Sequence, residues 1–407
     1  MEHQAGREQS IRRLLDAAED ASPVEAVESV TRELGLALGA TSVSFLIADL
    51  SGRALVRLTH VVTGAAPGDG VRGDDEERAT VLPFDGGPAE EALMTQEVQV
   101  LPPVRGSLWT LLAPITERGE AIGLLELDLP EEPSQAVVGE VRRTAHLLGY
   151  VVIASRRHTD LFEWGQRSTP FSLSAEIQRR LLPSAYTCEA GSFTFAAWLE
   201  PAETIGGDTF DYTLGRDVLH LSVTDAVGHG VDSALTATLC VGSLRNTRRY
   251  GATLLEQAAA TNEALLANGS GPDGERFATA LLGRLDLRTG GLEVVNAGHT
   301  APYLARDGHV TLLDLPADLP LGLFAGTEYR STTVPLTAGD RVVVVTDGML
   351  ERAAASVDLE AHISRTRDLH PREATRALAD LVLAASGGVL ADDAALVILD
   401  WHAGHGT

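Results

Sequence analysis

The stretch LSVTDAVGHGVDSALTATL, residues 221–239, changes from a strand pattern to a helix pattern within a few residues. Its apolar run ends at Asp225, and the residues after the GHG segment repeat apolar side chains at helical spacing. Glycines flank the connection between the two parts, which is typical of a tight turn. The stretch therefore predicts a buried strand that ends on an aspartate and leads directly into a helix.

Strand-like segments bounded by Gly, Pro or Asp continue on both sides of this stretch, from residue 192 to residue 399. Most of them are spaced as hairpins, and long helical patterns separate them in blocks. The helical patterns cover residues 231–249, 254–269 and 371–385. Hairpin-linked strands with helices in blocks predict an α/β sandwich, in which two antiparallel sheets are covered by pairs of helices.

The first 155 residues follow a different order, namely helix, hairpin, loop, hairpin, helix. This order predicts a separate α+β unit of the size of a sensor domain. Its segments are a helix over residues 14–38 that stops at Gly39, strand pairs over 41–62 and 107–129, a loop over 64–78 and a closing helix over 134–154.

Several aspartates of the second region stand at predicted strand ends. An aspartate at the end of a buried strand is costly unless its charge is compensated. Carboxylates that converge on one spot repel one another, and hard divalent cations relieve this repulsion. A ligand set of oxygens without Cys or His favours Mg²⁺ or Mn²⁺ over zinc. The aspartates are Asp208 in IGGDTFD, Asp225 in TDAVGHG, Asp347 in TDG, and Asp392 and Asp393 in ADDAALVIL.

Two such ions about 3.5–4 Å apart lower the pKa of a shared water and hold the oxygens of a phosphate monoester. The sequence thus predicts hydrolysis of phosphate esters by a two-metal site, without a catalytic cysteine. Taken singly, each aspartate is more often a turn or cap residue than a metal ligand.

Composition narrows the class of protein. The 407 residues carry a net charge of −25, which argues against nucleic acid or an anionic membrane as a partner. Cys188 and Cys240 form no CxxC pair, so we expect reduced, buried thiols. Neither a signal peptide nor an apolar run of about 18 residues is present, which predicts a cytoplasmic protein.

The segment from residue 192 to residue 400 resembles the PPM (protein phosphatase 2C-like) serine/threonine phosphatases. Within them it resembles the stage II sporulation protein E group, which regulates bacterial sigma factors. The motifs follow the order of that family: EPAETIGGDTFDY, LSVTDAVGHGVDSALTATL, ERFATALLGRLDLRTGGLEVVNAGHTAPYL, PLGLFAGTEY with LTAGDRVVVVTDGMLERA, and DDAALVIL.

The resemblance implies roles for individual residues. It makes Asp225 the bridging ligand, with the Ala226 carbonyl beside it. It assigns Asp347 and Asp392 to the same metal, with Asp393 as the alternative to Asp392, and Asp208 to a second metal, directly or through water. Asp225 and Asp208 are the implied catalytic residues.

The resemblance also implies a substrate, a phosphorylated protein of the anti-sigma-factor antagonist type. The first strand, FTFAAWLEP, lacks the phosphate-binding Arg of eukaryotic relatives, so metals would hold the phosphate. Two other functions stay open: a phosphatase-like scaffold that regulates by binding, and a hydrolase of small phosphate esters.

Two histidines stand in matched motifs, His229 in GHG and His299 in AGH. Both could act as general acids, because histidine titrates near neutrality. We favour a structural role near the site for both.

Residues 20–155 resemble a GAF domain in the order of their segments. A GAF-like sensor over 20–155, a helical connector over 156–190 and a phosphatase domain over 191–401 are the predicted domains. The connector contains AEIQRRLLP, which resembles the helical lead-in of sigma-regulating phosphatases and ends at Pro183. A small-molecule ligand for the sensor and a homodimer are further expectations from analogy.

Overall fold

The structure is a computed structural model that divides into two compact units, Met1–Pro170 and Phe171–Thr407. The described residues are 2–49, 54–63, 81–83, 86–104, 108–166, 172–200, 206–268, 276–350, 357–387, 390 and 392–403. The predicted loop over 64–78 lies outside them. No helix in these ranges is both long enough and apolar enough to cross a membrane.

The first unit contains a six-stranded antiparallel sheet. Its strands are β1 (Ser42–Ala48), β2 (Ala54–Val62), β3 (Val81–Pro83), β4 (Gln99–Leu101), β5 (Trp109–Glu117) and β6 (Glu120–Leu129). Their order is β3-β2-β1-β6-β5-β4, so the predicted hairpins β1–β2 and β5–β6 are confirmed and join through β1 and β6.

The helices of this unit are α1 (Glu2–Asp20), α2 (Ala26–Leu38), α3 (Pro88–Thr95), α4 (Gln135–Ser155) and α5 (Leu161–Gly165). The prediction of one helix over 14–38 is wrong, because the helix is interrupted between α1 and α2. Pro23 lies in this break, and its ring and missing N–H do not allow α1 to continue. The predicted stop at Gly39 is confirmed, and this residue adopts the left-handed conformation at the end of α2.

The second unit contains two sheets of six strands each. Its strands are β7 (Thr187–Glu189), β8 (Phe193–Glu200), β9 (Asp208–Leu214), β10 (Val218–Ala226), β11 (Ala278–Asp286), β12 (Gly291–Ala297), β13 (Tyr303–Arg306), β14 (His309–Leu312), β15 (Ala317–Asp318), β16 (Ser331–Pro335), β17 (Arg341–Val345) and β18 (Ala394–Trp401). One sheet has the order β15-β12-β11-β10-β9 with β16 also on β12, and the other has the order β14-β13-β17-β18-β8-β7. All pairings are antiparallel except that of the two-residue β15 with β12.

The helices of the second unit are α6 (Leu173–Leu181), α7 (Gly230–Arg249), α8 (Leu254–Asn268), α9 (Leu359–Arg365) and α10 (Pro371–Ala385). A core between the two sheets holds large side chains of β8, β10 and β18, among them Phe195 and Leu221. Helices α7 and α8 cover the first sheet, and α9 and α10 cover the second.

Strand β18 shows how the sequence encodes these layers. Its residues Ala395, Val397 and Leu399 lie in the core between the sheets. The alternate residues Ala394, Leu396 and Ile398 pack in the cluster with α10. A strand buried on both faces reads as a continuous apolar run, and the predicted sandwich is confirmed.

Candidate active site

Asp208 and Asp225 lie directly opposite each other at one end of the first sheet. They are Cα partners in the antiparallel pair of β9 and β10. The next pair inward, Thr209 and Thr224, joins its hydroxyls at 2.5 Å. Two like charges that face each other across strands are destabilising. Such a pair lowers the stability of the fold unless a positive charge compensates it.

Gly207 and Ala226 complete this end of the sheet. The Ala226 amide donates to the Gly207 carbonyl at 3.2 Å. A side chain on Gly207 would collide with the Ala226 carbonyl oxygen, so only glycine allows this approach. The two backbones are therefore packed at contact distance beside both carboxylates.

Thr346 connects the second sheet to Asp208. It follows β17, and its hydroxyl donates to Asp208 Oδ2 at 2.6 Å. The same hydroxyl accepts from the Ala395 amide at 2.8 Å. Asp347 is the next residue in the chain, so the end of β17 is held at the same place as the start of β9.

Asp392 and Asp393 immediately precede β18, next to the end of β17. A side chain on Gly348 would collide with the Asp393 carbonyl oxygen, which places the Asp347–Gly348 step against the Asp392–Asp393 step. Asp393 Oδ2 accepts from the Gly207 amide at 2.9 Å. Asp392 Oδ1 accepts from the Asp393 amide at 2.9 Å. The structure thus brings the predicted aspartates together from four strands of two sheets.

Burial divides these aspartates into two groups. Asp208 and Asp393 are buried, at 2% and 1% exposure. Asp225, Asp347 and Asp392 are partly exposed. The sequence could not distinguish Asp392 from Asp393, whereas in the structure Asp392 is partly exposed and Asp393 is buried.

The electrostatics of the cluster are those of crowded negative charge. The pKa of Asp208 is raised well above its ordinary value, first by burial and then by the charges of Asp225 and Asp393. The hydrogen bond from Thr346 opposes this shift, and Asp347 adds to it. Crowded negative charge of this kind is the physical condition that a bound cation relieves.

The donor set fits Mg²⁺ or Mn²⁺ in its chemistry, because it consists of carboxylate oxygens and the Ala226 carbonyl. Among the described residues, however, no three His, Cys, Asp or Glu side chains already form a group that could hold a metal. The carboxylates converge without being closed into a coordination shell.

The two histidines occupy different environments. His299 is buried, its Nδ1 lies 3.0 Å from the Thr279 hydroxyl, and burial lowers its pKa to about 4. It is therefore neutral at pH 7. Asn296 fixes the turn by accepting from the His299 amide at 2.7 Å. His229 is exposed and precedes α7.

Two polar residues of this region were not predicted, Gln178 of α6 and Thr346. Gln178 is fully buried and donates to the Asp208 carbonyl and to Asp393 Oδ2. Its place within an amphipathic helix gave no sign of this contact. Thr346 stands beside Asp347 in the TDG motif, and that neighbourhood was the available signal.

Residues 215–402 match the family model of stage II sporulation protein E (SpoIIE). The second unit therefore carries a SpoIIE-type phosphatase domain of the PPM class. The chain is similar to the phosphoserine phosphatase RsbU of Bacillus subtilis, at 22% identity over 236 residues, 56% of this chain and 68% of RsbU. It is also similar to the phosphoserine phosphatase RsbP of the same organism, at 21% identity over 39% of this chain and 40% of RsbP.

Two solved structures give the corresponding structural likeness. The RsbU and RsbW domains of Rv1364c from Mycobacterium tuberculosis match 53% of this chain and 61% of that chain, with 26% identity and a TM-score of 0.46. The SiaA-PP2C domain of Pseudomonas aeruginosa matches 56% of this chain and 94% of that chain, with 21% identity and a TM-score of 0.47.

Proposed function

We propose that the second unit is a metal-dependent phosphatase that hydrolyses phosphoserine or phosphothreonine on a regulatory protein. The observation that carries this proposal is the convergence of aspartates from β9, β10, β17 and β18 at one end of the sandwich. The match of residues 215–402 to a phosphatase family supports it.

The proposed ligands of the first cation are Asp225, Asp347 and Asp392, with the Ala226 carbonyl beside them. Asp225 would bridge to a second cation near Asp208. Partial exposure of the three first-site carboxylates supports this assignment, because a cation that meets a substrate must be reached from solvent. Asp393 is buried and engaged by backbone and amide donors, which supports a positioning role for it.

Bound divalent cations would supply a water of lowered pKa and would hold the phosphate oxygens. The residues of the chain fix the geometry for this chemistry. Thr346 holds one oxygen of Asp208, and Gly207 allows the Ala226 carbonyl to approach. His299 is neutral at pH 7 and joined to Thr279, so it contributes a fixed turn and no positive charge.

The proposed substrate is a phosphorylated anti-sigma-factor antagonist, and the first unit is proposed as a GAF-like sensor that controls the activity. The names of RsbU and RsbP as phosphoserine phosphatases support a phosphoserine substrate. A ligand of the sensor and a homodimer stay predictions.

A second candidate function is a catalytically weak scaffold that regulates by binding. The lack of a closed group of three ligating side chains among the described residues favours it. In that case, metal-dependent turnover would be absent although phosphoprotein binding persists.

The test is phosphate release from a phosphoserine protein and from p-nitrophenyl phosphate, with Mn²⁺, with Mg²⁺ and with chelator. We expect metal-dependent turnover that is lost in Asp225→Ala. Asp217→Ala is the matched control, because Asp217 is exposed in the turn at the other end of the β9–β10 hairpin.

Each outcome has a definite meaning. Preference for the phosphoprotein supports the proposal, whereas faster turnover of the small ester supports a small-ester hydrolase. Full activity of Asp225→Ala would disprove the assignment of the bridging ligand. An inactive wild type with every metal would favour the scaffold.

A further inference from the structure

The helix α6 places a buried amide against the aspartate cluster. Gln178 is 0% exposed, although its neighbours Arg179 and Arg180 reach solvent. Burying an amide is costly unless its polar atoms find partners. The partners of Gln178 therefore indicate why a polar residue stands at this position.

Both partners of the Gln178 amide nitrogen belong to the proposed metal site. Its Nε2 donates to the Asp208 carbonyl at 2.7 Å and to Asp393 Oδ2 at 2.8 Å. The opposite orientation of the amide would place its oxygen against two acceptors, so these contacts fix which atom is the nitrogen. Oε1 is buried with no hydrogen-bond partner among the described residues. The side chain of Gln178 thus makes both contacts through Nε2 although its Oε1 has no such partner.

Asp393 Oδ2 is the point at which three segments meet. This oxygen accepts from Gln178 of α6 and from the Gly207 amide at 2.9 Å. Asp393 itself belongs to the third segment, the residues directly before β18. Gly207 leads into Asp208, and Asp393 follows Asp392. The orientation of the buried Asp393 carboxylate is therefore linked to the backbone of two proposed metal-binding segments, the one at Asp208 and the one at Asp392.

The helix that carries Gln178 is itself held at both ends. Near its first turn, a Cβ on Gly206 would lie 3.1 Å from the Ser174 Cβ, so the helix packs on the loop before β9. At its end, Arg245 of α7 donates to the Leu181 carbonyl at 2.5 Å. Arg245 also pairs with the buried Asp211 of β9 at 2.8 Å. The amide is thus presented to the site by a fixed helix.

We propose that Gln178 is a positioning residue that acts through Asp393 to hold Asp208 and Asp392 in place for cation binding. The inference rests on the proposed function and deepens it, because it makes α6 part of the metal-binding apparatus. Residues that orient metal ligands typically change metal affinity or activity by about 10–100-fold when they are replaced.

The experiment measures binding of Mn²⁺ to the full chain by calorimetry and by the electron paramagnetic resonance signal of free Mn²⁺. Gln178→Met keeps the length and packing of the side chain but removes the donor. Arg180→Met is the matched control, since it also replaces a polar side chain by methionine, but at an exposed position of the same helix. We expect Mn²⁺ to bind about 10–100-fold more weakly to Gln178→Met, and unchanged to Arg180→Met.

Metal-free folding is monitored by circular dichroism and by the urea midpoint. A purely structural role would lower the midpoint and leave the Mn²⁺ affinity of the folded protein unchanged, which would overturn the inference. If Gln178→Met does not fold, Gln178→Asn replaces it, because it retains the amide but is one methylene too short to make both contacts.

The inference and the proposed function fail in different ways. Equal Mn²⁺ affinity of folded wild type and Gln178 variants overturns the inference and leaves the function intact. Weaker Mn²⁺ binding in the variants without any turnover by the wild type supports the inference and contradicts the phosphatase. A wild type that does not bind Mn²⁺ overturns both.

Discussion

The two ends of strands β17 and β18 both carry aspartates, yet they compensate the charge in different ways. At one end, Asp340 pairs with Arg306 through contacts of 2.5 and 2.9 Å, and Asp400 pairs with Arg341 through contacts of 2.6 and 2.8 Å. At the other end, the aspartate cluster meets a threonine hydroxyl, an amide and backbone N–H groups.

Asp208 and Asp340 illustrate the difference, because each is only 2% exposed to solvent. Burial raises the pKa of both, but at Asp340 the hydrogen bonds from Arg306 and Thr337 outweigh it and the pKa is lowered. The pKa of Asp208 is raised. At the same solvent exposure the two pKa values shift in opposite directions, because Asp340 has a guanidinium partner whereas Asp208 lies deeper in the protein and beside other carboxylates. One end is thus compensated by side chains of the protein, whereas the other is suited to a bound cation.

The largest expected effect separates the adjacent Asp392 and Asp393. Asp392→Asn would remove a proposed ligand and lower kcat on the order of 10³-fold, or about 4 kcal/mol of transition-state stabilisation. Asp393→Asn should stay within about tenfold, because the asparagine oxygen still accepts from Gly207 and Gln178. Steady-state kinetics at saturating Mn²⁺ measure both. The reverse order of activities would exchange the two roles.

At the opposite end, Asp340→Asn should destabilise the protein by about 2–3 kcal/mol. It removes the charge that Arg306 pairs with and weakens the bond that the Thr337 amide makes at 2.6 Å. Urea unfolding measures the loss, and phosphatase activity at low denaturant should be unchanged. A variant as stable as the wild type would show that the arginine-paired end contributes little.

The fold was largely predictable because its long elements carry clear periodic patterns. Helix α10 was predicted to the residue, since Pro371 marks its start. The strand that ends at Asp225 was predicted because an apolar run marks it, and it extends one residue further, to Ala226. Short elements such as β7 and β15 were missed, because their pairing with longer strands defines them and local sequence does not.

The convergence of the candidate residues was predictable, whereas their burial and their hydrogen-bond partners were not. Motif spacing identified the aspartates, but Asp392 and Asp393 are adjacent and identical in type. Only the fold decides which of them is buried. Gln178 was invisible because its partners are 30 and 215 residues away in the chain.

His299 allows a further test of how the acidic end is compensated, because a charged histidine could have served as its cation. Its folded pKa of about 4 lies below the ordinary value of 6.5. Between these values the unfolded chain takes up a proton that the folded protein does not, so stability falls as pH falls from 6.5 towards 4. The loss between pH 7 and pH 5 is about 2 kcal/mol.

The measurement compares urea unfolding of wild type and His299→Gln at pH 7 and at pH 5. The variant should lose about 2 kcal/mol less than the wild type over this interval, since the other histidines contribute equally to both. Identical pH dependence would mean that the fold does not lower the pKa of His299, whereas a smaller loss of stability in the wild type than in the variant would mean that His299 is held as a cation.

The smallest expected effect has the opposite sign from that of Asp340→Asn. Asp208→Asn removes one of two like charges that face each other across β9 and β10, and the Thr346 hydroxyl can still donate to the amide oxygen. The metal-free protein should therefore become more stable by about 1 kcal/mol.

The gain should be largest above the raised pKa of Asp208 and diminish as pH falls through it, because the folded wild type relieves the same repulsion by protonating Asp208. Added Mn²⁺ should stabilise the wild type more than the variant, because the cation binds more tightly where the Asp208 carboxylate is present. A destabilised Asp208→Asn would mean that the carboxylate is already compensated within the chain, and the contrast between the two ends would be lost.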